Sequence, residues 1–264
     1  MKDAFFLDPG FAALLGPEER SFDALMAIDG QVHRAKEGRR TVSFRRGGRD
    51  FFIKQHRGIG WGAILRELLE LRKPVLGARD EYVALAALAR AGIGAPVPVA
   101  FGQRGGDPAR LQSFVVTCSL GDAVTLEDLT LGWHDHPPQP RDKWRLIRAV
   151  GDIARRMHGI GLNHRDFYLC HILQDRAGEH FYLLDLHRAQ IRPAVPRRWL
   201  VKDIAGLMMS ALEIGLTRRD RLRFVEAYTG KPWRVALAED AGLWRTVEDR
   251  ALRLKRKLAG RDPS

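Results

Sequence analysis

The chain has 264 residues, enough for one large domain or two modest lobes, and its composition of 45% hydrophobic and 29% charged residues is that of a folded globular protein. No uncharged apolar run approaches the roughly 18 residues of a membrane-spanning helix, and two cysteines, Cys118 and Cys170, without a Cys-x-x-Cys pair, exclude a disulfide framework and read as free thiols of a reducing compartment. A net charge of +12 favours an anionic partner without choosing among nucleic acid, anionic membrane, phosphorylated glycolipid and acidic protein.

In chain order, the first thirty residues read as an irregular or helical arm with no secretory pattern, so a cytoplasmic protein is expected. Three β-rich runs follow, near Val32–Lys36, Thr41–Phe44 and Phe51–Lys54, separated by turns at Glu37-Gly38 and Gly47-Gly48; this spacing predicts an antiparallel meander. Residues 57–78 form an insertion in which Gly58, Gly60 and Gly62 flank Trp61, a short amphipathic run carries Ile64, Leu65, Leu68 and Leu69, and Pro74 stops it. Its two readings are a membrane- or glycolipid-touching element and a helix packed on the first lobe. Asp80 to Ala91 is helical in pattern and closed by Gly92, and Ser113–Thr117 reads as a buried strand.

Beyond Leu120 the pattern turns helical. Thr125 caps a short helix, a proline-containing loop spans 132–142, and apolar residues from Leu146 to Met157 recur at helical spacing. A β-hairpin is expected within 172–186, Thr217 and Asp220 cap another helix, and Leu237–Leu258 reads as one long basic amphipathic helix whose cations form a solvated face or meet an anionic lipid or an acidic carrier protein. The fold class is therefore α+β, with a β-rich N-lobe at 1–118 and a mainly α-helical C-lobe at 119–264.

The string from Asn163 to His171 lies on a loop between helix and strand, and Asp185 ends a second short apolar strand. Phosphoryl transfer from ATP needs a carboxylate to take the proton of the attacking hydroxyl, another to hold Mg2+ against the phosphates, and a lysine to grip them. Asp166 is the candidate base, Asp185 the candidate metal ligand, Lys54 the candidate phosphate lysine, and Glu81, in the following helix, its candidate partner. His134 and His136, flanking Asp135, lack the ligand set of a structural zinc site.

In this order and on these elements, Lys54, Glu81, Asp166 and Asp185 resemble the strand lysine, helix glutamate, His-Arg-Asp loop and Asp-Phe-Gly motif of the protein-kinase-like superfamily. That resemblance implies a two-lobed fold with ATP and Mg2+ as cofactors. His171 stands where the superfamily places a metal-binding asparagine, and imidazole suits Mg2+ less well than oxygen. The motif around Asp185 continues with Leu186 and His187, and no Gly-x-Gly-x-x-Gly, Ala-Pro-Glu or long activation segment occurs. The turn at Gly38 would then cover the phosphates, and the strand ending at Thr117 and Cys118 would meet adenine through its backbone. His164 is expected under the loop, and Arg165 pairs with a carboxylate or binds an acceptor phosphate.

The closer resemblance, across essentially the whole chain, is to the lipopolysaccharide core heptose kinases. It is carried by Lys54–His56, Gly58–Gly62, Arg72–Gly77, Asn163–His171, Leu184–Ala189 and Val201–Leu207. It implies phosphorylation of O4 of the first heptose of the inner core at the cytoplasmic face of the inner membrane, with Asp203, at the start of a helix, bracing the catalytic loop. The acceptor would be the inner-core glycolipid, with peripheral contact to anionic membrane and an acidic carrier protein as further partners. The alternatives are a protein kinase that phosphorylates itself on tyrosine and a non-catalytic basic nucleic-acid binder. The second lacks any nucleic-acid motif, and no nucleic-acid partner is expected.

Overall fold

In the computed structural model, which describes residues 3–36, 38–70 and 74–260, the chain divides into two units. One comprises Met1–Ala89, Pro96–Gly121 and Leu186–Arg188, the other Arg90–Ala95, Asp122–Asp185 and Ala189–Ser264. The first contains β1 (Ala4–Leu7), α1 (Pro9–Ala12), α2 (Phe22–Met26), β2 (Gln31–Lys36), β3 (Arg39–Arg46), β4 (Arg49–Arg57), α3 (Gly60–Leu69), all but the last residue of α4 (Arg79–Arg90), β5 (Pro98–Arg104) and β6 (Gln112–Cys118). Its strands make one antiparallel sheet in the order β1-β5-β6-β4-β3-β2. The expected meander is β2-β3-β4, in register with Thr41 opposite Lys54 and Val42 opposite Ile53.

The N-terminal stretch is more ordered than an arm. Phe5 and Phe6 pair with β5 as an edge strand, a partnership about a hundred residues away along the chain that local periodicity does not reveal. Asp8 and Ser21 cap α1 and α2 through the amides of Phe11 and Ala24 (3.0 and 3.1 Å). The two short helices set Phe11, Leu25 and Met26 against Phe51, Ile53 and Val116 to form the core on that side of the sheet. In the β2–β3 turn Gly38 has φ 71°, and a Cβ there would sit 2.1 Å from the Gly58 carbonyl oxygen, so only glycine fits. Glu37 of that turn, and Leu71, Arg72 and Lys73 before Pro74, lie outside the described residues. Within 57–78 the amphipathic run forms α3, which buries Ile64 and exposes Trp61, Leu65, Leu68 and Leu69.

The second unit contains β7 (Val124–Thr125), α5 (Leu126–Thr130), α6 (Pro140–Gly159), β8 (Leu162–Asn163), β9 (Ile172–Gln174), β10 (Phe181–Leu183), β11 (Gln190–Ile191), α7 (Arg197–Ser210), α8 (Arg218–Thr229) and α9 (Trp233–Ala259). The hairpin β9-β10 extends to β7, and β8 pairs with β11. Helix α6 packs on α8 and α7 on α9, the latter through Val201, Ile204, Leu243 and Val247. The four helices frame a largely apolar cavity of about 380 Å³, lined by Leu146, Leu207, Phe224 and Trp244 among others. The basic C-terminal run is not one unbroken helix. At Asp240 the backbone leaves helical geometry (φ −148°, ψ 60°). There the carboxylate caps the Leu243 amide (2.9 Å) and takes both ends of the Arg197 guanidinium (2.5 and 2.8 Å). Among the described residues no helix is long and apolar enough to cross a membrane.

His56 points into the first unit from β4 and is 4% exposed. Burial, helped by the charges of Arg39, Lys54 and His187, pushes its pKa down to about 3. An unfolded histidine titrates near the ordinary 6.5, so between these values unfolding takes up a proton, and the native state loses stability as pH falls below 6.5. Lowering pH from 7.5 to 5.5 is expected to cost about 1.4 kcal/mol through this residue. Urea unfolding at the two pH values should show that much less acid sensitivity in His56→Gln, and an equal sensitivity in variant and wild type would refute the assignment.

Candidate active site

The sheet fixes Lys54 from both sides, with Thr41 of β3 and Val115 of β6 as its ladder neighbours. Its Nζ donates to Glu81 Oε1 at 2.6 Å. Glu81 lies in the first turn of α4 with its side chain 5% exposed. A carboxylate so buried is tolerable because the ammonium group accompanies it. Gly38 lies in the turn at the far end of β3 from Gly47. Thr117 and Cys118 close β6, where the Cys118 amide donates to the Val97 carbonyl (3.0 Å) and the Ser119 amide to that of Asp50 (3.0 Å). The N–H groups of 118 and 119 are therefore already engaged, so a base meeting Cys118 there would meet its carbonyl.

In the second unit the loop after β8 is held from beneath by Asp203, which is fully buried. One carboxylate oxygen accepts the His164 amide and the other the Arg165 amide, both at 2.7 Å. His158 Nε2 donates to the same group at 3.3 Å, and the Tyr228 hydroxyl lies 2.9 Å from His158 Nδ1. Burial and the nearby Asp203 charge push the Tyr228 hydroxyl's pKa up. Asp203 does not start its helix. It lies mid-way along α7, which begins six residues earlier after Pro196, because proline stops backward extension while Arg197–Leu200 continue helical geometry. Gly206, one turn on, brings α7 against the loop, where a Cβ would meet the Phe167 carbonyl oxygen at 3.0 Å.

The brace fixes a strained backbone. Arg165 has φ 75° and Asp185 φ 59°, the only non-glycine residues with positive φ among those described. The two segments are tied together. His164 Nε2 donates to the Leu184 carbonyl (2.8 Å), and the Leu184 amide donates to the His171 carbonyl (2.9 Å). Burial lowers the His164 pKa. His171 Nδ1 donates to the Asp166 carbonyl (2.7 Å), and its Nε2 faces Asp185 Oδ2 at 3.7 Å. Against the effect of burial, hydrogen bonds to Cys170 and the Asp166 carbonyl, with the Asp185 charge, raise the His171 pKa to about 9. With Nδ1 engaged by the Asp166 carbonyl, Nε2 is the His171 nitrogen left facing Asp185.

Asp166, His171 and Asp185 thus share one braced pair of loops, and Lys54 pairs with Glu81. Among the described residues no three His, Cys, Asp or Glu side chains group to hold a metal unaided. Mg2+ commonly takes one or two carboxylates and completes its shell with substrate phosphates and water, a demand that Asp185 fits. His158 and Tyr228 escaped sequence reading, since each ends an ordinary amphipathic helix and only folding brings them to Asp203. Cys118 and Cys170 are both free thiols, as expected.

Residues 23–228 match the lipopolysaccharide kinase (Kdo/WaaP) family. The chain belongs to that family. It is 47% identical over 239 residues to the lipopolysaccharide core heptose(I) kinase WaaP of Pseudomonas aeruginosa, covering 88% of this chain and 89% of that one. It is 40% identical over 242 residues to the enzyme of the same name from Escherichia coli, covering 89% and 91%. A solved structure described as WaaP in complex with acyl carrier protein superposes with a TM-score of 0.80 at 41% identity, covering 95% of this chain and 99% of that one. The resemblance read from the motifs is borne out, as is the α+β, protein-kinase-like fold class, and the chain is a kinase of this lipopolysaccharide family.

Removing Asp203 strands two buried amides. Asp203→Ala is expected to destabilise the protein by about 3–5 kcal/mol, and Asp203→Asn, which keeps one acceptor oxygen, by less. Urea denaturation measures both, and a loss below about 1 kcal/mol in the alanine variant would show that the loop does not depend on this carboxylate.

Proposed function

We propose that this chain transfers the γ-phosphate of ATP to O4 of the first heptose of the lipopolysaccharide inner core. The observation that carries the proposal is the Asp203-braced loop bearing Asp166, tied through His171 to the segment bearing Asp185, in a chain 47% identical to a named heptose(I) kinase. Asp166 accepts the proton of the attacking hydroxyl. Lys54 grips the phosphates and Glu81 fixes its ammonium group; the Gly38 turn lies over the phosphates, and the backbone at Thr117 and Cys118 meets adenine. Asp185 would hold Mg2+, which neutralises charge developing on the phosphates. His171, whose Nε2 faces Asp185, is the second candidate for holding the metal, while His164, Arg165 and Asp203 support the loop. The relatives' names favour a sugar over a protein hydroxyl as acceptor, and over a nucleic-acid role.

Asp166→Ala is expected to reduce ATP-dependent transfer to core oligosaccharide by about 10³-fold or more in a protein that still folds. Cells lacking the chain should lose phosphate from the first heptose. An unchanged core, or near wild-type transfer by the folded variant, would sink the assignment.

The reading extends to place and partners. The reaction would occur at the cytoplasmic face of the inner membrane. The α3 face of Trp61, Leu65, Leu68 and Leu69, each more than half exposed and adjoining Arg66, suits peripheral contact with an anionic membrane. An acidic carrier protein suits the charge of +12, and the apolar cavity framed by α6 to α9 has the polarity to take an alkyl chain borne by such a carrier. Acylated carrier should therefore bind more tightly than unacylated carrier, and the protein should float with anionic vesicles less after Leu65→Ser and Leu69→Ser. Equal affinity for the two carrier forms removes the first contact, and unchanged flotation of the variants removes the second.

A further inference from the structure

Trp199, near the start of α7, is surrounded by cations. The charged groups of Arg165, Arg192, Arg198 and Lys202 lie 4.9, 5.7, 5.3 and 5.7 Å from its ring. They arrive from three places: Arg165 from the catalytic loop, Arg192 from just beyond β11, and Arg198 and Lys202 from α7. Like charges gathered on one indole repel, so what offsets the charge of Arg192 and Arg198 decides what the cluster can hold. The neighbouring Arg197 shows the usual remedy, a two-pronged pair with Asp240. Arg192 instead donates to the neutral oxygens of Asn163 (2.6 Å) and Gln190. Arg198 is exposed and makes no ion pair with a carboxylate among the described residues.

The cluster adjoins the reaction loop. Arg165 immediately precedes Asp166 and has its amide fixed by Asp203, and Arg192 is bonded to Asn163, which opens the loop. Arginines whose planar forks are not engaged by carboxylates match phosphate and carboxylate oxygens. We propose that the Trp199-centred cluster, with Arg192 and Arg198 as its principal donors, is a binding site for an anionic group of the acceptor, a phosphate ester or a sugar-acid carboxylate near the hydroxyl that Asp166 deprotonates. This rests on the kinase reading above and adds the subsite that selects a charged over a neutral sugar acceptor.

The test uses the full chain, ATP, and core glycolipid in three forms: native, dephosphorylated, and with carboxylates reduced to alcohols. Arg198→Ala should raise the KM for native acceptor about tenfold, the loss of one charge-assisted contact, without moving the KM for ATP. Arg198→Lys should recover part of the loss. Whichever altered acceptor abolishes the difference between wild type and Arg198→Ala identifies the anion's source. In parallel, a free sugar acid and a sugar phosphate are titrated against tryptophan fluorescence, where the wild-type response should be weakened by salt and lost in Arg198→Ala and Trp199→Phe. An acceptor KM in Arg198→Ala within twofold of wild type, with no such fluorescence response, overturns the subsite and leaves the kinase standing. A fluorescence response in a protein that transfers no phosphate to the core overturns the kinase reading and leaves the anion site standing.

Discussion

The second unit of this protein depends on one buried carboxylate. Asp203 has no solvent to stabilise its charge, and it is held by two backbone amides of the loop that carries Asp166, with an imidazole alongside. Such short charge-assisted bonds to main-chain donors outweigh the unfavourable geometry of Arg165, whose left-handed backbone would otherwise relax. Rigidity passes from the α7 core to the loop, and through His164 and Leu184 to the segment that presents Asp185. Chemistry that works mainly by positioning charges needs a frame of this kind.

The Lys54–Glu81 pair solves a similar problem by different means. Lysine is a flexible point charge, and a strand position inside a six-stranded sheet sets only the base of its side chain. The buried Glu81 fixes the other end.

The positive charge is unevenly used. Arg197 and Lys231 are matched by Asp240 and Glu239, so part of the excess is spent inside the fold's own ion pairs. Around Trp199 the pattern reverses, with cations brought together and two of the arginines given neutral oxygens or none. An anionic acceptor gives that arrangement a purpose, and it lies in the chain segments that flank the Asp166 loop. The apolar face of α3 is a second unspent surface, of the opposite chemical character.

The sequence by itself determined the elements whose cause is local. Alternation between glycine turns marks β2 to β4, Thr125 and the Thr217–Asp220 box mark helix starts, and the ordered kinase-like motifs mark Lys54, Glu81, Asp166 and Asp185 as candidates. Tertiary structure alone decided what depends on distant partners. Phe5 and Phe6 became a strand because β5 supplied an edge, Asp240 broke α9 because Arg197 and the Leu243 amide claimed its carboxylate, and His158 and Tyr228 joined Asp203 because α6, α7 and α8 converge. Residue type and spacing record propensity and which chemistry is on offer. Hydrogen bonds between residues tens of positions apart form only when packing has brought them to the same place, so the partners that hold Asp203 and the cationic cluster could be seen only in the folded chain.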